Sequence, residues 1–289
     1  MRSGNAQQRN GLRRAANVPV KNIPGRLRNV TRRVWRDSAL VAVADALNGS
    51  IALEPGGPSA SFGPRGLVPV YPRLVALDVL DYAERTLWSD AAQTHISPRR
   101  RLITEAGRLD GVPDNAYDAL LASHVLEHLA NPLGALAEWR RVVRPGGHLL
   151  LIVPHRDGTF DHRRLATSLE HLQADLVCDT GEDDLTHLEE VLDLHDLTRD
   201  PGARNRMVFE QRCRENYVSR AMHHHVFISR TVVEMCHAAG LDVCFLRPKR
   251  PFNIVCLCRV SGSQGEGLSE QALLEILSHS PFASDREGI

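Results

Sequence analysis

The stretch NAYDALLASHVLEHLANPLGALAEWRRVVRPGGHLLLIVP, residues 115–154, decides the fold. Tyr117–Ser123 (YDALLAS) is a short apolar run of strand length. Leu133–Val143 carries its apolar residues at helical spacing, and Arg144–Pro145–Gly146–Gly147 stops it. His148–Val153 (HLLLIV) is apolar almost throughout, as a strand buried on both faces of a parallel sheet must be. Strand, helix and strand in this order make one βαβ unit.

The same rhythm continues on either side. Toward the N-terminus, Ile51–Glu54, Leu74–Asp78 and Arg101–Thr104 read as strands. Val34, Trp35, Leu40, Val41, Val43 and Leu47 place a helix over about 31–48, ended by Asn48–Gly49–Ser50. Toward the C-terminus, Thr231–Ala239 reads as a helix closed by Gly240, and Leu241–Arg247 and Asn253–Val260 read as strands. Residues 156–222 break the rhythm. They are polar, acidic in the middle and rich in His and Arg, and are expected to form a mostly helical insertion or lid. The expected fold is α/β: a doubly wound, mostly parallel seven-stranded sheet with a helical insertion after its fifth strand. The chain divides into a basic arm and helix (1–48), a cofactor domain (49–260) and a tail with one helix, Glu270–His279, and a polar end (261–289).

Composition excludes several classes. Lys+Arg and Asp+Glu are both 35 in 289 residues, so the chain as a whole has no nucleic-acid footprint. Aromatic residues are only 5%, too few for a base-stacking platform. No apolar run approaches the ~18–20 residues of a membrane span, so no membrane partner is expected. The first 36 residues hold ten Arg/Lys and no acidic residue, without the apolar centre of a signal peptide. A transit peptide has this composition; the preferred reading is a mobile arm or packed helix, serving subunit pairing in a homodimer or an acidic substrate. None of the six cysteines forms a CxxC pair. They read as reduced core thiols of a cytoplasmic protein, with Cys256 and Cys258 facing one side of a strand.

In an open parallel sheet, ligands bind beyond the carboxyl ends of the strands, where the strand order reverses. The loop after the first strand, Glu54–Pro55–Gly56–Gly57–Pro58–Ser59, offers glycine where backbone must approach a ligand. Asp78 ends the second strand as read, about 20 residues on, where an acid takes ribose hydroxyls.

The run from Asp118 through His124–Val125–Leu126–Glu127–His128, Asn131–Pro132 and Arg144–Pro145–Gly146–Gly147 to Pro154 resembles the type-11 group of class I S-adenosylmethionine (SAM) dependent methyltransferases. Glu105–Ala106, ahead of Leu109 and Pro113, is similar to the adenine-lining stretch of that family. His225–Val226–Phe227, with the helix and strand that follow, resembles its last helix and strand. The resemblance spans about 50–160 and 223–260. It implies a Rossmann-like sheet, SAM as cofactor and S-adenosylhomocysteine (SAH) as product. It places Glu54, Gly56 and Gly57 at the methionine part, Pro58 in the same turn, Asp78 at the ribose, Glu105 and Ala106 at the adenine, and Ser123 and His124 under the sulfonium. Members usually carry Gly-x-Gly after the acid; here Pro58 holds the second glycine's place and Ala60 a later one, so Gly57 must supply the freedom.

His124–Val125–Leu126–Glu127–His128 is also the HxxEH string of zinc peptidases, which requires it within a helix. Here it follows a strand, so His124 falls at a strand–helix junction with its ring toward the cofactor, and Glu127 and His128 cap or pack the next helix.

Past the fifth strand lies a polar run, His155 to Arg164, at the expected active-site rim. His155 and Asp157, with His225, are candidate catalytic groups; a His near neutrality can take a hydroxyl proton. Asp161, Arg163 and His223 are candidate acceptor contacts. The histidines His187, His195, His223 and His225 are substrate-lining, candidates for a divalent metal, which the resemblance allows but does not require, or a hydrogen-bonded structural cluster fixing the insertion onto the sheet. The expected function is methyl transfer from SAM to an oxygen or nitrogen of a small polar acceptor: a sugar, nucleoside or related natural product. The alternatives are a methyltransferase-fold protein that binds SAM or SAH for another role, and, remotely, a zinc metallopeptidase.

Overall fold

In chain order the strands are β1 (Ile51–Pro55), β2 (Ala76–Asp81), β3 (Arg100–Ile103), β4 (Tyr117–Ser123), β5 (Val143–Pro154), β6 (Leu241–Lys249) and β7 (Asn253–Val260). They form one sheet of order β3-β2-β1-β4-β5-β7-β6. Pairings from β3 to β5 are parallel, and β7 runs antiparallel between β5 and β6. Strand order reverses between β1 and β4, so their carboxyl ends frame the ligand crevice. This computed structural model describes residues 37–86, 96–200, 202–203, 205–261 and 267–287, all within one unit, Arg36–Ile289. The basic segment 1–36 and the start of the helix expected over 31–48 lie outside the described residues.

The period of two in the strands builds a core on each face. Leu53, Leu120, Ala122, Leu149, Leu151 and Val153 face one way, against α2 (Pro132–Val142) and α7 (Ser229–Ala238). Ala52, Ala119, Leu121, Leu150 and Ile152 face the other, against α1 (Ser38–Asp45), Phe62 and Tyr71. Local chemistry sets the helix starts. Asp37 caps α1, and Asn131 caps α2 by accepting from Gly134 N at 2.8 Å, with Pro132 in the first turn. Trp139 of α2 is fully buried, and its indole N–H donates to the Ala106 carbonyl at 2.8 Å.

Most bounds shift by one or two residues, and two differ by more. The second strand runs on from Asp78 to Asp81, because Val79 and Leu80 extend the pairing with β1 to Pro55. Arg144–Gly147 does not separate helix from strand. β5 begins at Val143, opposite Tyr117, and the register shifts before His148. Gly146 turns the chain at φ +78°, and a Cβ on Gly147 would lie 2.5 Å from the Asp118 carbonyl.

The insertion is mostly helical: α3 (Leu169–Cys178), α4 (Leu188–Leu194), α5 (Arg206–Arg214) and α6 (Asn216–Ser219). It has a small core of its own, built from Leu188, Val191, Leu192, Phe209, Cys213 and Met222. The tail adds α8 (Glu270–Ser278). Part of the expected polar end is buried: Phe282 and Asp285 are both 3% exposed. Among the described residues no helix is long and apolar enough to cross a membrane.

Candidate active site

β1 ends in Glu54–Pro55, and the chain turns through Gly56 at φ +67°, whose N–H donates to the Leu80 carbonyl at 2.8 Å. Glu54 does not line the cavity above. Its carboxyl is fully buried beneath the turn, where it accepts from Ser59 N at 2.9 Å and from the Tyr71 hydroxyl at 2.7 Å. Burial pushes its pKa up to about 8 against those two hydrogen bonds, with Asp81 adding to the rise. A Cβ on Gly57 would fall 2.4 Å from Glu54 Cδ, so only glycine lets the carboxyl tuck under the loop. Glu54 is a brace for the turn, and the expectation that it faces the methionine part is corrected.

The acid at the crevice is Asp81, not Asp78. Asp78 is fully buried, and both its oxygens are taken: Arg99 donates at 2.9 and 2.7 Å, Arg100 at 3.0 and 2.6 Å, and the Tyr117 hydroxyl at 2.8 Å. Burial opposes its ionisation, but these donors hold it well below the usual carboxylate range. Asp81 sits at the true end of β2 and lines the cavity with its ion-pair partner Arg101. Burial raises its pKa, and Arg101 opposes the rise.

Ser123 and His124 close β4, with Ser123 Oγ 3.0 Å from Ser61 Oγ. His124 has φ +57°, a left-handed conformation that ends the strand, and Leu126–His128 forms a single 3-10 turn. The HxxEH string is therefore not on a helix, and the zinc peptidase geometry is absent. His124 Nε2 is 3.2 Å from Asn253 Oδ1, and its Nδ1 is 3.4 Å from Glu127 Oε1. Burial works against a proton on His124, yet the buried Glu127 carboxylate raises its pKa. His128 lines the cavity instead of packing the next helix. Its Nδ1 lies 3.1 Å from the Met222 carbonyl. Burial, reinforced by nearby His223, lowers its pKa to about 4.

These ends surround a cavity of about 530 Å³, within the range of small-molecule sites. Of the residues expected at a cofactor, Gly56, Gly57, Pro58, Glu105, Ala106, Ser123 and His124 line it; Glu54 and Asp78 do not. Asp81, Tyr82, Arg101, His128, Glu182 and Arg220 line it as well. Arg220 pairs with two other lining residues, 2.9 Å from Glu105 Oε1 and 3.0 Å from Glu182 Oε2.

The expected catalytic and acceptor groups lie elsewhere. His155 is fully buried away from the cavity; its Nε2 is 3.1 Å from Asp285 Oδ1 and its ring stacks on Phe282 at 3.9 Å. Asp157 accepts from Ser284 N and Oγ, both at 2.9 Å. These two residues anchor the tail. Asp161 is buried between Arg164 and His223, whose Nδ1 is 2.6 Å from its Oδ2. Arg163 is half-exposed and pairs with Asp196 at 3.3 Å. His223 stands behind His128, ring centroids 4.6 Å apart. His195 is apart from the other histidines, paired with Asp200 at 3.2 Å and flanked by Phe160 and Phe209. His225 and His187 do meet, away from the cavity, with His171 as a third member that the sequence did not mark. Asp81 left a trace in the sequence, an acid three residues past Asp78 in one apolar run; Glu182 and Arg220 left none, because the insertion has no pattern to align them.

The family description "Methyltransferase domain" matches residues 63–151. A Streptomyces fradiae protein described as an uncharacterized 37.1 kDa protein in transposon TN4556 is 30% identical over 142 residues, which are 45% of this chain and 38% of that protein's length. A crystal structure of Burkholderia thailandensis 1,6-didemethyltoxoflavin-N1-methyltransferase, with 1,6-didemethyltoxoflavin and SAH bound, is 17% identical and aligns over 80% of this chain and 82% of that one, TM-score 0.43. A SAM-dependent methyltransferase of Mesorhizobium loti is 13% identical over 77% of this chain and 96% of its own, TM-score 0.46. The strand order with its one antiparallel strand and the crevice at the switch point are those of a Rossmann-like sheet, and residues 63–151 within it match the methyltransferase-domain family.

Proposed function

We propose that the chain transfers a methyl group from SAM to an oxygen or nitrogen of a small polar acceptor. The observation that carries this reading is the cavity over the carboxyl ends of β1, β2 and β4, with a glycine turn on one side and the strand-end carboxylate of Asp81 on another. The residues present fit SAM. A Cβ on Gly56 would lie 3.1 Å from Val125 Cγ2, so the missing side chain keeps room beside the turn. Asp81 suits the ribose hydroxyls, the Gly56–Gly57 turn the amino-acid end, and Glu105–Ala106 the adenine edge. SAM supplies an electrophilic methyl group on its sulfonium.

The chain's own residues align and deprotonate the acceptor. His128 is neutral at pH 7, and with Nδ1–H donating to Met222 O its Nε2 carries the lone pair. That lone pair can take the proton an O–H or N–H acceptor loses as its new bond to carbon forms. Glu182 and Arg220 on the opposite wall favour a polar acceptor over a flat apolar one. Alignment of donor and acceptor in this enclosed space supplies most of the rate.

Titration calorimetry with SAM and SAH tests the first half: one site with affinity for both is expected, and no heat with either would sink the reading. Incubation with methyl-labelled SAM and panels of sugars, nucleosides and small amines tests the second. Tight SAM binding with no transfer to any of them would leave the domain standing and discard the acceptor class.

A further inference from the structure

Outside the active site, the insertion brings three imidazoles and a carboxylate to one point. His171 and Asp175 stand four residues apart on α3, so they share a helix face. His187 immediately precedes α4, and His225 lies in the extended run before α7. His171 Nε2 is 3.1 Å from His187 Nε2 and 3.4 Å from Asp175 Oδ2, which is 3.7 Å from His225 Nε2. One nitrogen from each of the three histidines lies within 4.8 Å of the others. Metal–nitrogen bonds of about 2.0–2.1 Å in a tetrahedron put neighbouring ligand atoms roughly 3.3–3.4 Å apart. The three measured separations bracket that value.

Protein partners alone do not satisfy the group. Asp175 Oδ2 and His225 Nδ1 are buried with no hydrogen-bond partner; His225 Nε2 lies 3.2 Å from the Ala130 carbonyl, a contact that a metal ion would replace, and the His225 side chain is fully buried. Asp175 Oδ1, by contrast, accepts from the Thr180 hydroxyl at 3.2 Å, which aims the other oxygen at the histidines. Glu190 Oε2, 3.7 Å from His187 Nδ1, adds the outer carboxylate common behind metal-bound imidazoles. The His171 side chain is 42% exposed, so an ion can reach the site from solvent.

We propose that His171, Asp175, His187 and His225 form a tetrahedral site for one divalent transition-metal ion, with Zn²⁺ the best match to an N₃O donor set. The site is independent of methyl transfer. It joins α3, the start of α4 and the strap before α7, and so pins both ends of the loop that carries Glu182 to the cavity wall. Two other groups could compete for the ion: Cys236–Cys256–Cys258, which the Co²⁺ spectrum separates, and Glu127–His128–His223, which the H171A and H187A variants separate.

Untagged full-length protein, stripped with a chelator and dialysed, is titrated with Zn²⁺ by calorimetry and with Co²⁺ by visible absorption. One equivalent of each is expected, with the intense bands of tetrahedral Co²⁺ and no thiolate charge-transfer band. Outer partners of metal ligands are worth 10–100-fold in affinity, so loss of a direct ligand in H171A or H187A is expected to weaken Zn²⁺ binding at least about 100-fold. Cys258→Ser is expected to leave it unchanged. Absence of Zn²⁺ binding by folded wild-type protein, equal binding by both histidine variants, or loss in Cys258→Ser would each overturn the proposal. The Co²⁺ spectrum of the wild type decides between nitrogen and sulfur ligands even if a variant fails to fold.

Discussion

Asp78 and Asp81 lie three residues apart on β2, and the period of two sends their side chains to opposite faces. One is locked by two guanidiniums and a phenol; the other reaches the crevice. Their substitutions should therefore separate. Asp81→Asn is expected to weaken SAH binding at least about 10-fold with little change in stability, since one charge-assisted hydrogen bond is worth about 1.5–3 kcal/mol. Asp78→Asn strips charge from a buried carboxylate whose arginine partners are half-exposed, and should destabilise by about 1.5–3 kcal/mol while SAH affinity holds in the folded protein. Calorimetry and urea unfolding on both variants measure the split; the reverse pattern would return the ribose to Asp78. His128 gives a pH signature. Its folded pKa of about 4 lies below the unfolded value of 6.5, so the unfolded chain binds the proton first as pH falls. The stability contributed by keeping it neutral is complete above 6.5 and lost as pH drops through 6.5 toward 4, about 2 kcal/mol by pH 5. Urea midpoints over that window should fall less steeply in His128→Asn; an identical slope would mean that His128 is protonated in the fold.

At the scale of elements, the strands and helices that frame the crevice follow from local patterns. β4 and β7 have the bounds their apolar runs suggest, and α2 departs by one residue at each end, starting at Pro132 and ending at Val142. β2 was cut short because an acid inside an apolar run looks like an end; only the pairing of Val79 with Glu54 and of Leu80 with Pro55 shows that the strand continues. The tail is the clearest case of a partner invisible from sequence. Asp285 accepts from Ser229 N and Oγ at 2.9 and 2.7 Å and from Ser280 Oγ at 2.6 Å, beside the His155 ring. Asp285→Ala leaves those donors and the imidazole buried without a partner and should cost about 3–5 kcal/mol. Thermal unfolding reads that loss, while SAH affinity at a temperature where the variant is folded should stay within about twofold. Lost affinity with unchanged stability would put His155 back in the active site.

For the whole molecule, one antiparallel strand inserted beside β5 completes a sheet whose single reversal of order creates the crevice, and everything that binds there hangs from strand ends. The insertion closes one side with Glu182 and Arg220 and gathers its histidines on another. Sequence alone determined the alternation of strands and helices, the glycine turn after β1 and the Ser123–His124 strand end, because each depends on residues near one another in the chain. The histidine-rich segments also showed that something unusual lies in 156–225, but spacing could not say which members meet. Tertiary structure alone decided that Asp81 and not Asp78 faces the crevice, that His155 and Asp157 hold the tail, and that His171 and Asp175 join His187 and His225. Those are contacts between groups tens to more than a hundred residues apart, and burial, not sequence order, selects the partner of each charge.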